Sequence, residues 1–476
     1  MLEYTLRIRD LVHGTILFTE CEQRVINHPY FQRLRQVRQN DVAFYVFPSL
    51  NTSRFEHVLG TCRVAGMMAE TLTKSPKWRA YFRELKAQTG IASKEEFVEI
   101  ARLYAILHDI GHLPLSHLFE FAVEDWIGTP NFPRAIEEWA GVGGFKKLHE
   151  AFSAAIVRQI VSDLKLSRVM RNALLRLMTE KDLLHQYENP LSVIKSLVDS
   201  DIDADRIDFV QRDGLLAGGE YGHYDIRRLC DAVFIEQYDG EWRIAYSEKA
   251  LTSMEALLLD RYRTHVWIHF HHRVVAMKML VRFLIQKALE FGVIKKEHFD
   301  PTKADEFSLR DDVWLWGILR NMEADGEVTR MIQHAVFYRE KRNVLNLWKT
   351  RPEYHELREV VADRANVNVT ALALERPEAY QSHLSRRLGV QLLMFRPPFE
   401  AISKERVRLY SESKKGFTGR SLLEVSRLIA NLEVIWKDEP QEFILIVDKN
   451  ARSRAKRLTE RWVTLTADWV KSPRLL

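Results

Sequence analysis

Residues 101–120 read ARLYAILHDIGHLPLSHLFE. Apolar residues run at helical spacing through Leu107, and Ser93 with Glu96 supplies a capping box ahead of them, which predicts a largely buried helix over Lys94–His108. The adjacent His108 and Asp109 therefore fall at the end of a buried helix. Desolvating an unpaired carboxylate there is costly, and a divalent cation that takes both side chains as ligands removes the penalty. Gly111 breaks the helix and Pro114 starts the next, which carries His117 and Glu120 on one face, with His112 in the turn. Three imidazoles and two carboxylates within thirteen positions are more than packing alone explains.

The dipeptide His-Asp alone is common, so spacing and partners carry the argument. Upstream, SRFEHVLGTCRVAGMMAETL (residues 53–72) reads as a helix with His57 beside its apolar stripe. Downstream, LVDSDIDADRIDFVQRD (residues 197–213) spaces Asp201, Asp205, Asp208 and Arg212 by four, three and four, along one helical face. Mixed imidazole and carboxylate ligands suit Fe, Mn, Zn or Mg and leave the identity of the divalent metal ion open.

His57, His108-Asp109 and Asp205 resemble the H…HD…D signature of HD-domain metal-dependent phosphohydrolases. More narrowly, FQRLRQVRQNDVAFYVFPSLNTSRFEHVLGT, LHDIGHLPLSHLFE, LHEAF and DADRIDFVQRD resemble successive blocks of the deoxynucleoside triphosphate triphosphohydrolases, which include bacterial dGTPases and SAM-and-HD-domain enzymes. The resemblance spans residues 5 to 290 and implies one metal held by His57, His108, Asp109 and Asp205. It implies attack at the α-phosphorus, with release of nucleoside and inorganic triphosphate. His117 is then the general acid, Glu120 orients it, and His112 and His149 contact phosphate. Arg54 and Arg206 match phosphate-binding positions; Gln39 and Asp213 match residues that hold the sugar 3′-hydroxyl. Asn40 stands where relatives that select deoxyribose carry leucine, and Phe209 and Phe270 stand where many carry tyrosine, which leaves sugar selection open. Relatives are homo-oligomers with nucleotides bound between subunits, so a homo-oligomer with a nucleotide effector is expected.

Two other readings compete. One is an HD phosphodiesterase or phosphatase for cyclic or signalling nucleotides; the other is a non-catalytic nucleotide- or nucleic-acid-binding regulator that keeps the metal for structure.

The chain has 476 residues with a formal charge of +5. Residues 401–476 hold sixteen Lys and Arg against ten Asp and Glu, so the basic surface, and any nucleic-acid contact, belongs to the C-terminal part. No apolar run reaches spanning length and the start MLEYTLRIRD has no signal-peptide pattern, so the expectation is a cytoplasmic protein without membrane contact. Cys21, Cys62 and Cys230 are scattered, as buried reduced thiols would be.

The expected fold class is mainly α: an HD-domain helical bundle with a small β-hairpin over 1–295, then a C-terminal helical and α+β region over 296–476 with an oligomerisation or regulatory role. Residues 4–18 read as a hairpin, and Arg33, Arg35 and Arg38 as a solvated face. Gly128–Gly144 reads as a surface excursion and 190–212 as one helix. Alternation around Asp239-Gly240 predicts a second hairpin. His265, His269, His271 and His272 lie without carboxylates and read as packing or phosphate contacts. Strands are expected at Val390–Phe395, Val407–Tyr410 and Phe443–Val447, with a stiff turn at Pro397-Pro398, and a basic final helix over Ala451–Trp462.

Overall fold

The computed structural model describes residues 2–180, 183, 186, 188–238, 240–367, 377–396, 407–411, 416–438 and 442–471. The chain opens with an antiparallel hairpin, β1 (Tyr4–Asp10) and β2 (Gly14–Thr19), with Ile8 opposite Ile16 and Gly14 at φ 70° in the turn. Thr19 and Glu22 form the capping box of α1 (Glu20–Ile26), and Pro29 opens α2 (Pro29–Gln32). The helices that follow are α3 (Arg54–Leu72), α4 (Trp78–Thr89), α5 (Lys94–Leu107), α6 (His117–Ile127), α7 (Phe132–Ala140), α8 (Leu148–Asp163), α9 (Arg168–Thr179), α10 (Leu191–Ser196), α11 (Ala204–Ala217) and α12 (Ile226–Asp231). Then come β3 (Val233–Tyr238), β4 (Glu241–Ser247), α13 (Leu251–Thr264), α14 (His272–Glu290), α15 (Ala304–Ser308), α16 (Asp312–Asn321) and α17 (Gly326–Phe337). The chain ends through β5 (Val344–Asn346), α18 (Arg351–Ala365), α19 (Pro377–Leu388), β6 (Gln391–Phe395), β7 (Arg408–Ser411), β8 (Gly416–Ser421), α20 (Leu422–Val425), α21 (Arg427–Asp438), β9 (Phe443–Val447) and α22 (Ala455–Lys471). The fold is mainly α with small sheets, as the periodicity predicts.

The chain forms two compact units, each assembled from three stretches rather than from one side of a single cut. The first comprises Met1–Thr264, Lys295–Leu315 and Ala401–Val434; the second comprises His265–Ile294, Trp316–Glu400 and Ile435–Leu476.

In the first unit α3 packs against both α5 and α11, which sets side by side the helices that carry or lead into His57, His108, Asp109 and Asp205. Of the capping box expected for α5 only the N-cap half forms: the Glu96 amide donates to Ser93 Oγ at 3.1 Å, whereas the Glu96 carboxylate takes the Ala92 amide at 2.8 Å, one residue before the cap. Phe97, Ile100, Leu103 and Ile106 behind it are fully buried, each contributing about 1.5–3 kcal/mol. Two glycines permit the close approaches. A Cβ on Gly60 would stand 1.9 Å from Asp208 Oδ1, so only glycine lets α11 press so near α3. At Gly111 a Cβ would meet Ser153 N at 2.2 Å and His149 O at 2.4 Å, which is how α8 reaches the turn after α5.

Several expectations are corrected. Residues 132–140 form α7, with Phe132, Ile136 and Trp139 buried; Pro133 near its N-terminus hides a helix that begins there comfortably. The single helix expected over 190–212 is two, α10 and α11, because Asp203 caps α11 by accepting the Arg206 amide at 2.7 Å and the Ser200 amide at 2.8 Å. Pro114 does not open α6. Leu115 and Ser116 intervene at φ 55° and 53°, a left-handed pair that holds the chain out of the helix until His117.

The hairpin of β3 and β4 forms as expected, although Asp239 in its turn lies outside the described residues. The strand expected at 407–410 does not join the other two C-terminal strands. It is β7, which pairs parallel to β4 with Leu409 beside Tyr246, and β8 extends that sheet. In the second unit β9 runs between β5 and β6, antiparallel to both, and packs with Trp348, Tyr354, Tyr380, Leu458 and Trp462 in a separate core. Pro397 and Pro398 lie outside the described residues. The basic final segment starts as a 3₁₀ turn, Ala451–Arg454, before α22.

Candidate metal centre and active site

His57 in the first turn of α3, His108 and Asp109 just past α5, and Asp205 in the first turn of α11 converge. One ligand atom from each lies within 4.8 Å of all the others, so the four can hold a metal ion. His57 Nε2 is 2.8 Å from Asp205 Oδ1, and His108 Nε2 is 3.6 Å from that oxygen and 3.4 Å from Asp109 Oδ1. His108 donates from Nδ1 to Ala105 O at 2.8 Å, which leaves Nε2 as a lone pair aimed into the cluster, buried and without a hydrogen-bond partner among the described residues. An orphaned ring nitrogen facing two carboxylates and a second imidazole is a donor set that suits a divalent cation. Burial opposes charge on His57, but its bonds to Asp205 and Asp208 outweigh it and raise its pKa to about 10. Asp205 is held well below the usual carboxylate range, against the effect of burial, by His108 and His57.

Beside this cluster His112, His117 and His149 form a second group. His112 stacks on His149 with ring centres 4.0 Å apart, and His117 stands edge-on to His112 at 4.8 Å. The groups touch where His112 Nε2 lies 3.5 Å from Asp109 Oδ1. Glu120 is nearer to His149, with Nδ1 at 2.7 Å, than to His117, whose Nδ1 is 3.6 Å away, and it also accepts the Leu148 amide. Burial raises the Glu120 carboxyl, yet the charge of His149 and the bonds from both histidines hold it well below its ordinary value. His117 has a half-exposed side chain and is lowered first by desolvation, then by His149 and Arg54, with Glu120 opposing.

The four residues matched to substrate binding sit as follows. Arg54 is buried, donates from Nε to Ser116 Oγ at 2.7 Å and pairs with Asp109, so it lines the metal cluster directly. Arg206 is bound to Asp203 at 2.6 Å. Gln39 donates its backbone N–H to Thr52 O at 3.0 Å, and its side-chain oxygen is buried without a partner among the described residues. Asp213 accepts a 2.7 Å bond from Asn40 Nδ2, and burial pushes its carboxyl up to about 7. Asn40 therefore turns its amide onto Asp213. Phe270 falls in the second unit.

Sequence reasoning misses the residues that frame this site. Arg33, read as solvated, is buried; it donates to Ile110 O at 3.0 Å, His112 O at 2.6 Å and Arg310 O at 3.2 Å, which pins the turn after α5. Asp312, 197 positions after Leu115 and 274 after Arg38, accepts the Leu115 amide at 2.7 Å and the Arg38 amide at 3.0 Å. Neither leaves a local signal, because their partners, backbone groups and for Asp312 also the Arg38 guanidinium at 3.2 Å, are distant in sequence. The four histidines of 265–272 do not make a metal-holding group among the described residues.

Comparison with known proteins agrees with this geometry. Residues 54–208 match the family model of the HD domain, which begins three positions before His57 and ends three after Asp205. An uncharacterized protein of Methanocaldococcus jannaschii is 26% identical over 66% of this chain and 55% of its own length. A deoxynucleoside triphosphate triphosphohydrolase SAMHD1 homolog of Dictyostelium discoideum is 24% identical over 68% of this chain and 57% of its own. The chain thus spans little more than half the length of these curated relatives. The crystal structure of a hypothetical protein from Aquifex aeolicus, 21% identical, superposes with a TM-score of 0.64 over 95% of this chain and 99% of that one, which shows a shared fold. No helix among the described residues is long and apolar enough to cross a membrane.

Proposed function

We propose that this HD-domain chain is a metal-dependent hydrolase that cleaves nucleoside triphosphates, deoxynucleotides among them, to nucleoside and inorganic triphosphate. The observation that carries the reading is the junction of two clusters: four ligands able to hold a divalent cation, and three imidazoles with a carboxylate that abut them through His112 and Asp109. When bound at His57, His108, Asp109 and Asp205, such a cation neutralises phosphate charge and makes a water nucleophilic. Arg54, at the edge of the ligands, binds the phosphate adjoining them. His112 and His149, stacked in parallel, form a wall of N–H donors for the phosphate oxygens. His117 turns Nδ1 toward Glu120, so Nε2 delivers the proton that the leaving 5′ oxygen needs. The approach of a polyanionic substrate raises His117 from its depressed value and so loads that proton. Glu120 holds His149 by a hydrogen bond and His117 by charge. Gln39 and Asp213 receive the sugar, and Arg206 reaches phosphate by leaving Asp203.

For the chain as a whole we propose a cytoplasmic homo-oligomer that responds to a second nucleotide, with 296–476 as the regulatory or oligomerising region and its basic part as the place for a nucleotide or nucleic-acid contact. The resemblance to the deoxynucleoside triphosphate triphosphohydrolases supports the assembly and the nucleotide response, and the charge of 401–476 supports the anionic contact.

The test is product analysis. All eight common nucleoside triphosphates, singly and mixed, are incubated with Mn²⁺ or Mg²⁺ and separated by chromatography, with Asp205→Ala as control. Intact triphosphate plus nucleoside, absent in the control, is expected. Orthophosphate from the triphosphates, or a ring-opened monophosphate from a cyclic nucleotide incubated in parallel, would instead establish an HD phosphatase or phosphodiesterase.

A further inference from the structure

The turn of the first hairpin reaches the back of the metal cluster. Asp10 Oδ1 accepts the amides of Val12 at 2.9 Å and His13 at 2.8 Å, closing the turn, while Oδ2 takes Arg212 Nη1 at 2.9 Å. His13 in turn places Nε2 2.7 Å from Asp208 Oδ1. Asp208 is fully buried and takes four donors. His57 Nδ1 at 2.8 Å and Arg212 Nε at 2.9 Å meet Oδ2; His13 Nε2 and Arg212 Nη2, the latter at 2.8 Å, meet Oδ1. A carboxylate is acceptor-only, and these four contacts fill its lone-pair directions. A ring nitrogen that faces it must therefore carry the proton.

We infer that Asp208 is the positioning residue of the metal centre, holding His57 with Nδ1 protonated and Nε2 turned to the cation, and that His13, with Arg212 and Asp10, holds Asp208 in place. Residues at the turn of an N-terminal hairpin thereby govern how tightly α3 and α11 retain a metal. The glycine at position 60 belongs to the same device, since any Cβ there would occupy the place of the Asp208 carboxylate. Partners of this kind behind a ligating histidine typically matter about 10- to 100-fold in metal affinity. The inference rests on the assignment of His57 and Asp205 as ligands.

The experiment measures the Mn²⁺ and Zn²⁺ dissociation constants of the full chain by chelator competition, for wild type, Asp205→Ala, Asp208→Asn, His13→Ala and His13→Gln. Circular dichroism reports the helices, and ring ¹⁵N spectra of histidine-labelled, Zn²⁺-loaded protein report the His57 tautomer. Asp208→Asn is expected to weaken binding about 10- to 100-fold and His13→Ala about threefold or more, with helicity unchanged. His13→Gln, whose amide can still donate to Asp208, should recover most of the loss. The wild-type His57 ring should carry its proton on Nδ1. Loss of metal in Asp205→Ala with wild-type affinity in both Asp208→Asn and His13→Ala overturns the inference alone. Retention of metal by Asp205→Ala overturns the ligand assignment beneath it. Should Asp208→Asn not fold, His13→Ala and its glutamine rescue decide on the same thresholds.

Discussion

His117 is the residue on which the proposed chemistry turns, because its ring stands half-exposed at the open side of the imidazole cluster while His112 and His149 are buried. His117→Ala is expected to keep its metal and lose about 10²–10⁴ in kcat, the ordinary worth of a general acid. Turnover within tenfold of wild type, measured with metal content, would move the role to His149, the tighter partner of Glu120. Asp213 makes a prediction about pH. Its folded-state value of about 7 lies above the unfolded 3.8, so the folded chain binds the extra proton, and the stability this confers is complete below about pH 4 and lost as pH rises through 7. Asn40 faces it through a hydrogen bond, His57 and Arg212 oppose the rise, and Asp208 adds to it. Asp213→Asn should therefore be more stable than wild type at pH 8, by up to about 4 kcal/mol, and much closer to it at pH 5. A gap in melting temperature that is the same at both pH values would contradict the buried, protonatable carboxyl. Asn40→Leu removes the amide and places apolar bulk beside the proposed sugar position. An unpaired 2′-hydroxyl then costs about 1–3 kcal/mol, so the ratio of kcat/KM for dGTP over GTP should rise roughly ten- to a hundredfold. An unchanged ratio would show that Asn40 serves Asp213 alone.

Among the elements, the turn between α5 and α6 is the most demanding. Leu115 and Ser116 both adopt left-handed backbone, at about 1–2 kcal/mol each, and outside contacts hold them there. Asp312 accepts the Leu115 amide, and Ser116 Oγ donates to Arg38 O while accepting from Arg54. Asp312→Ala should release this turn with the metal ligands intact. The expectation is a fall in kcat of about tenfold or more, a lower melting temperature and unchanged metal content. If the variant loses stability but keeps wild-type kcat, the turn is a structural feature without a part in placing His117. Helix existence is legible for α3 and α5, where apolar spacing marks a buried face, whereas α11 merges with α10 unless Asp203 is read as its cap. It is not legible for α7, where glycine and proline on either side masked a helix held by burial of Phe132, Ile136 and Trp139.

At the scale of the whole molecule, a chain made of two interleaved units places residues 401–434 in the same unit as the metal centre, and the remaining C-terminal residues in the other. If a second nucleotide regulates the enzyme, rates in mixed nucleotides should exceed the sum of the single-nucleotide rates, and sedimentation should show a change of assembly state on nucleotide addition. Additive rates with one unchanging species would count against regulation. What the sequence by itself determined is the class of fold, because helical periodicity and caps act locally; the candidate ligands His57, His108, Asp109 and Asp205 were legible through the family resemblance, and the structure brings them within reach of one another. What only the tertiary structure decided is how those residues are held. Arg33, Asp312 and His13 act through backbone carbonyls, amides and a carboxylate far away in the chain, and β7 pairs with β4 across 163 positions. Such partnerships have no periodicity, because a hydrogen bond between distant segments depends on where the packed core brings them, and the one-dimensional pattern carries only the tendency of each segment to form its element.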